Sequence, residues 1–292
     1  VRTRSLCLGL RLAAALLPSL VLAAVPARAT DIVGAAPGTL YEATVIVTGR
    51  EETRAAGLRQ AFLAVLAKAS GDPRLLADPA AAALADAALA AGPASVADVS
   101  YRDRMEGIPV HDEQGSRDRP YDLTGRFDPA RIDAALATLG RTPWPQPRPM
   151  VLAVILVQTA GTEFVLTDGG TRGRDMLGAL AIAAEGMGLP TAVPDAGILK
   201  RLGSLTPATL FTPGPEFAEA TTRLGAAATL IGTLLWSETD HGWIAEWHLE
   251  TGEEPGAAPP ARWAVRGVSF DAAFRSGIGG AAQVLSGNGA PE

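Results

Sequence analysis

Cysteine is all but missing. The one thiol, Cys7, precedes an apolar run near the start, so the rest of the chain has no disulfide, no thiolate nucleophile and no cysteine metal site. Histidine is nearly as scarce: His111, His241 and His248 follow no zinc-ligand spacing. No serine stands in a G-x-S-x-G elbow, and no glycine-rich stretch ends in the Gly-Lys-Ser/Thr of a P-loop. Basic clusters are absent, which argues against nucleic acid as a partner. Aromatics are 5% of residues, so much of the core must be built from small side chains.

Residues 1–29 read as a secretory signal peptide. Arg2 and Arg4 give a basic start, and Leu12 to Val25 is an apolar run broken by Pro18 and Ser19. Ala27-Arg28-Ala29 is an A-x-A cleavage site. The run falls short of the ~20 apolar residues a spanning helix needs, so cleavage after Ala29 outweighs an anchor. Loss of the four arginines in that segment moves the formal charge from −6 to about −10. The expectation is a soluble, exported bacterial protein, periplasmic or extracellular, with no membrane span after cleavage.

Period-two alternation predicts strands at 40–48, 96–102 and 120–127, with Ala97, Val99 and Tyr101 sharing one side of the second. Thr48-Gly-Arg-Glu51 reads as a capping box opening a helix through Leu58, Phe62, Val65, Leu66 and Ala69, stopped at Gly71. An alanine-rich helix follows from Pro79, and another runs from Pro129 to Leu139. The charged segment 103–119 reads as a long mobile loop.

Four prolines between Pro143 and Pro149 make a stiff spacer carrying Trp144, and it feeds the apolar run Met150 to Val157. That run is apolar on both faces, as a central strand should be. Trp144 is too large and apolar to be left in water, so Trp144 and Arg148 are expected in an interdomain or partner contact. Further strands are predicted at 163–167, 189–193, 227–236, 243–250 and 262–267. Helices are predicted at 174–186, 215–224 and 270–285, with 194–212 a loop holding a helical turn or two. Acids at 246 and 250 should pair with Arg262 and Arg266 across an exposed face. The fold class is α+β or α/β: two packed modules, each a mostly antiparallel or mixed sheet with helices mainly on one face. The boundaries are 30–140, a Pro-rich linker 141–149, 150–287, and a disordered tail 288–292.

Asp168-Gly-Gly-Thr-Arg-Gly173 sits between a strand and a helix, where backbone amides hold anions. Gly169, Gly170, Arg172, Gly173 and Arg174 are therefore the candidate ligand-binding residues, although a plain glycine turn is the simpler reading of so broken a motif. Glu246, His248 and Glu250 share one strand face, conceivable as weak metal ligands or hydrolytic groups, but read first as a solvated face. Trp236, Trp243, Trp247 and Trp263 read as core before sugar-stacking platforms. No cofactor is expected.

The strand Leu40 to Val47, the helix Arg54 to Gly71, Tyr121-Asp-Leu-Thr-Gly-Arg-Phe-Asp128 and Trp144 with Arg148-Pro149 together carry a resemblance. Gly188-Leu-Pro-Thr-Ala-Val-Pro194, Leu230-Ile-Gly-Thr-Leu234 and Trp243 to Trp247 complete it. In that order they resemble an exported bacterial family called domain of unknown function 2066, over about residues 40–285. The resemblance implies no catalytic residue. The layout of the second half is also similar to small α/β modules of envelope assembly proteins, an analogy that carries no function. The expectation is a non-catalytic envelope protein that meets another envelope protein or peptide. A small-ligand or anion binder, and a cell-wall or polysaccharide hydrolase, are the alternatives.

Overall fold

A computed structural model describes residues 40–49, 51, 53–90, 96–109, 111–112, 115–116, 119–252 and 258–291. Residues 1–29, read from the sequence as a signal peptide, lie outside them. The chain is a mixed α+β protein with two main sheets.

The first half runs β1 (Glu42–Thr48), α1 (Arg54–Ser70), α2 (Pro79–Ala90), β2 (Val96–Asp103), a short hairpin β3 (His111–Asp112) and β4 (Gly115–Ser116), β5 (Pro120–Phe127) and α3 (Pro129–Thr138). The sheet order is β1-β5-β2, antiparallel throughout. Ala43, Val47, Leu123 and Phe127 turn inward under α1, and Phe62 meets Phe127 edge-on with centroids 5.3 Å apart. Gly57 allows the close approach, since a Cβ there would lie 2.6 Å from the Val47 side chain. The outer face carries charge pairs in register. Glu42 lies opposite Arg126 and pairs with it at 2.8 Å, while Asp122 takes Arg102 from across the strand and Arg104 at 2.7 Å.

Two local expectations fail here. β2 carries a bulge between Val96 and Asp98, which turns Val96 inward and leaves Ala97 exposed. The capping box does not form: α1 starts after Thr53, whose hydroxyl donates to Thr48 O at 2.9 Å instead. The base of the loop at 103–119 is tied, because buried Arg119 binds Asp103 at 2.7 Å and donates to the Met105 and Ile108 carbonyls.

The second half runs β6 (Val151–Thr159), β7 (Thr162–Val165), α4 (Arg174–Met187), β8 (Thr191–Ala192), α5 (Ala196–Leu202), α6 (Pro207–Leu210), α7 (Pro215–Leu224), β9 (Ala228–Ser237), β10 (Gly242–Thr251), β11 (Ala261–Val268) and α8 (Phe270–Leu285). The order is β11-β10-β9-β6-β7, with β8 beside the start of β6. Only the β6–β9 and β6–β8 pairings are parallel. β6 is buried on both faces, as its unbroken apolar run requires. Its odd residues face α4 and α8, and its even residues face α5, α6 and α7. That second, smaller helix layer leaves the outer side of β10 and β11 open at Glu246, Arg262, Ala264 and Arg266.

The expected ladder between β10 and β11 is absent. Register sets His248 against Arg262 and Glu246 against Ala264, and Arg266 reaches Asp240 at 3.4 Å in the turn. Trp247 and Trp263 seat on glycines rather than on sugars. A Cβ at Gly277 would sit 2.8 Å from the Trp247 ring, and one at Gly280 2.5 Å from the Trp263 ring.

The two halves meet where helices end. Trp144 is buried, and its backbone N–H donates to Ala69 O at 2.7 Å. Arg148 is buried as well, its guanidinium carbon 4.4 Å from the Trp144 ring centroid. It donates to Met187 O (2.5 Å) and Gly188 O (3.3 Å) at the end of α4, and to Lys68 O (2.6 Å) and Ala69 O (3.3 Å) at the end of α1. Burial lowers its pKa to about 10, which still leaves it a cation at neutral pH.

Beside it lies Asp72, fully buried. Burial alone would raise its pKa, but hydrogen bonds from Arg74 and Arg141 outweigh that and hold it below the usual carboxylate value. The tail after Gly287, expected to fray, is instead pinned as far as Pro291. Asn288 Nδ2 donates to Ser70 O at 2.9 Å, Arg74 donates to Asn288 O at 2.8 Å, and Gln283 donates to Ala290 O at 2.8 Å. Unpaired helix-end carbonyls supply the reason for that order.

Replacing Arg148 by Met should cost several kcal/mol in urea unfolding, at ~1.5–3 kcal/mol per hydrogen bond to a charged group. It should also red-shift tryptophan emission as Trp144 meets water. Gly232→Ala, whose added methyl would overlap the Trp247 ring, should lower the unfolding free energy by about 1–3 kcal/mol through overpacking. Unchanged midpoints would show that the ring can move aside.

Candidate functional site

A cavity opens mainly on the face of the second sheet away from the seam. It is a half-open groove of about 1220 Å³ between α7 with its leading loop and the ends of β9 and β10. Thr206 caps α6 in a reciprocal box with Thr209, and the helix gives out at Phe211. Pro213, Gly214 and Pro215 then turn the chain, with Pro215 in the first turn of α7. This places Phe211 and Phe217 on the apolar side of the groove and Thr221 and Thr222 along its length. Thr221 donates to Phe217 O at 2.7 Å, so the Thr229 hydroxyl, 2.5 Å away, must donate to Thr221. Glu250 and Thr251 of β10 close the opposite side.

Behind Glu250 stands His248. It was expected on a solvated face, yet only 4% of it is exposed, and Phe211 lies across it with ring centroids 6.5 Å apart. Its Nε2 is 3.0 Å from Glu250 Oε1. Burial is the main cause that pushes the imidazole below its usual pKa; Arg262 across the strand adds to this and Glu250 opposes it. Nε2 faces that carboxylate, and Nδ1 is buried without a hydrogen-bond partner among the described residues. Glu246 points to solvent. Glu246 and Glu250 are four strand residues apart, or roughly 13 Å at ~3.3 Å per residue. That exceeds the ~5–9.5 Å of paired glycosidase carboxylates. Among the described residues no group of three or more His, Asp or Glu side chains is placed to hold a metal ion.

The other candidates fall elsewhere. Gly169 and Gly173 adopt left-handed backbone, and Gly173 precedes α4 without a side-chain cap. Arg172 and Arg174 point into solvent, Asp175 occupies the first turn, and no residue from 168 to 174 lines the groove. With its arginines turned outward and an acid at the helix start, this stretch is a glycine turn and does not converge on a ligand. Trp144 and Arg148 belong to the seam. Trp243, Trp247 and Trp263 are buried, and Trp236 is half-covered against Trp243. The groove itself was not foreseen. Its only sequence signals are Asp195 and Thr206, whose side chains cap the short helices α5 and α6.

A family model described as a domain of unknown function (DUF8605) matches residues 35–145. The match covers the first sheet with its helices and ends inside the proline-rich spacer. It overturns the resemblance to domain of unknown function 2066, which is a different family. The motifs behind that resemblance are common strand and turn patterns, and their order alone did not separate two families of similar texture. No curated protein matches the chain. Among the described residues no helix is long and apolar enough to cross a membrane.

The buried imidazole fixes a pH response. In the unfolded chain His248 takes a proton near pH 6.5, while in the folded protein burial resists it. Stability should therefore be fully present above that value and fall as pH drops below it, down to the lowered folded pKa. The slope of unfolding free energy between pH 7 and 5 should be shallower in His248→Gln than in the parent chain. Equal slopes would mean that the ring charges freely in place.

Proposed function

We propose that the chain is an exported, non-catalytic envelope protein that works by holding an extended segment of another protein or peptide in the groove beside α7. The groove carries this reading. At about 1220 Å³ it exceeds the ~300–1,000 Å³ typical of small-molecule pockets, and it is open along one side rather than closed over a ligand. Its lining alternates apolar surface from Phe211, Phe217 and Ile231 with hydroxyls from Thr221, Thr222 and Thr229. Such a mixture suits a peptide, whose backbone needs hydrogen bonds while its side chains need apolar seats. The amino-terminal segment reads as an export signal, and the absence of cysteine after Cys7 frees the fold from any redox requirement.

Peptides selected from a random library on the intact chain should lose about tenfold or more in affinity when Thr222→Trp fills the groove. Ile182→Asp, on the exposed side of α4, should leave them unaffected. Selected peptides indifferent to Thr222→Trp would place recognition elsewhere and end this reading.

A further inference from the structure

Among the described residues Glu250 is the one charged side chain lining the groove; the rest of the described lining is threonine, proline, glycine and apolar residues. Several carboxylates elsewhere in the molecule are paired with arginines: Glu42 with Arg126, Asp72 with Arg74 and Arg141, Asp103 with Arg119, Asp122 with Arg102 and Arg104. Glu250 has no such partner. Its side chain is 35% exposed and, among the described residues, no lysine or arginine forms an ion pair with it. Arg262, across the strand from His248, is exposed and makes no bridge to it. One carboxylate oxygen lies 3.0 Å from His248 Nε2, and the ring behind it is buried. A half-buried carboxylate without a cation, backed by a buried imidazole on a peptide-sized groove, is an unfilled half of an ion pair.

We infer that the groove selects a basic peptide, seating a lysine or arginine side chain on Glu250 with its aliphatic stem along Phe211. The inference rests on the peptide-binding reading above and names the class of peptide. Long basic side chains lay their methylene stems on apolar surface while the charged head finds its partner, and Phe211 and Glu250 provide both in one lining. His248 is a positioning residue: it touches Glu250, not the peptide, and keeps the carboxylate from folding back against the strand. The acidic surface of the chain, formally −6, steers basic segments toward the site.

The test uses labelled, end-capped peptides of about eight residues that alternate alanine with lysine, arginine, glutamine or glutamate, read by fluorescence polarisation at ~0.15 M salt. The lysine and arginine peptides should bind the intact chain about tenfold tighter than the glutamine peptide. Glu250→Gln should erase that preference, and Glu250→Asp should keep part of it. His248→Phe should weaken it while leaving glutamine-peptide binding unchanged, which a merely structural role would not do. Glu246→Gln, exposed on the same strand, should change nothing. Equal binding of lysine and glutamine peptides would overturn the cation assignment and leave the groove reading standing. A preference that survives Glu250→Gln would assign it to the acidic surface at large and overturn the proposal. No binding of any of the four at roughly 1 mM, where ΔG° is about −4 kcal/mol, would overturn both.

Discussion

Arg148 is a buried cation that takes no carboxylate, and the arrangement of both halves follows from how its charge is met. Three helices, α1, α4 and α8, end within reach of one another, at Gly71, Gly188 and Ser286. Each end presents carbonyls with no partner inside its own helix and roughly half a negative charge. Brought together without donors, those ends would repel and leave polar groups unpaired. The guanidinium answers both problems, since its planar fork reaches two helix ends at once while the Trp144 face covers it. A lysine, with one point charge and no fork, could not span them. The proline-rich spacer is what delivers Arg148 and Trp144 together, so the linker serves as the keystone of the seam rather than as a tether.

The same economy explains Asp72 and the tail. Asp72 holds Arg74 and Arg141 in place, and Arg74 in turn holds the carbonyl of Asn288. Asn288 and the Ser286 hydroxyl finish the end of α1. The seam lies on the α4–α8 side of the large sheet, and the groove opens mainly on the α7 side. Two faces of one sheet therefore divide the work of holding the halves together from the work of presenting a binding surface.

Much of this architecture is written in local patterns. Gly71, Gly188 and Gly225 end helices in left-handed backbone, where a side chain would be strained. The unbroken apolar run of β6 announces a strand covered twice, and period-two burial marks β1 and the end of β5. What escaped depends on contacts distant in sequence. The bulge at Ala97 is set by pairing to β5, and the order of the tail by the end of α1. Burial of His248 needs Phe211, which arrives from a helix of four residues too short to show a period. A groove formed by one helix layer stopping short of the sheet's last strands has no signature in any window of residues. That is why Glu250 looked like one acid among several on a wet face.

The tail's attachment reaches further than the seam. Ser70 and Arg74 find partners in Asn288 more than two hundred positions later. The end of α1 therefore stays incompletely capped until Asn288 has been synthesised. Contacts of such separation delay closure, because the intervening loop must be ordered before they return any stability. The strand pairs of the first sheet need only residues 42–127, but its final docking waits for the last turn of α8. During synthesis the chain is thus a held-open form, with its most charged internal surface, around Asp72 and Arg148, the last to be sealed from water.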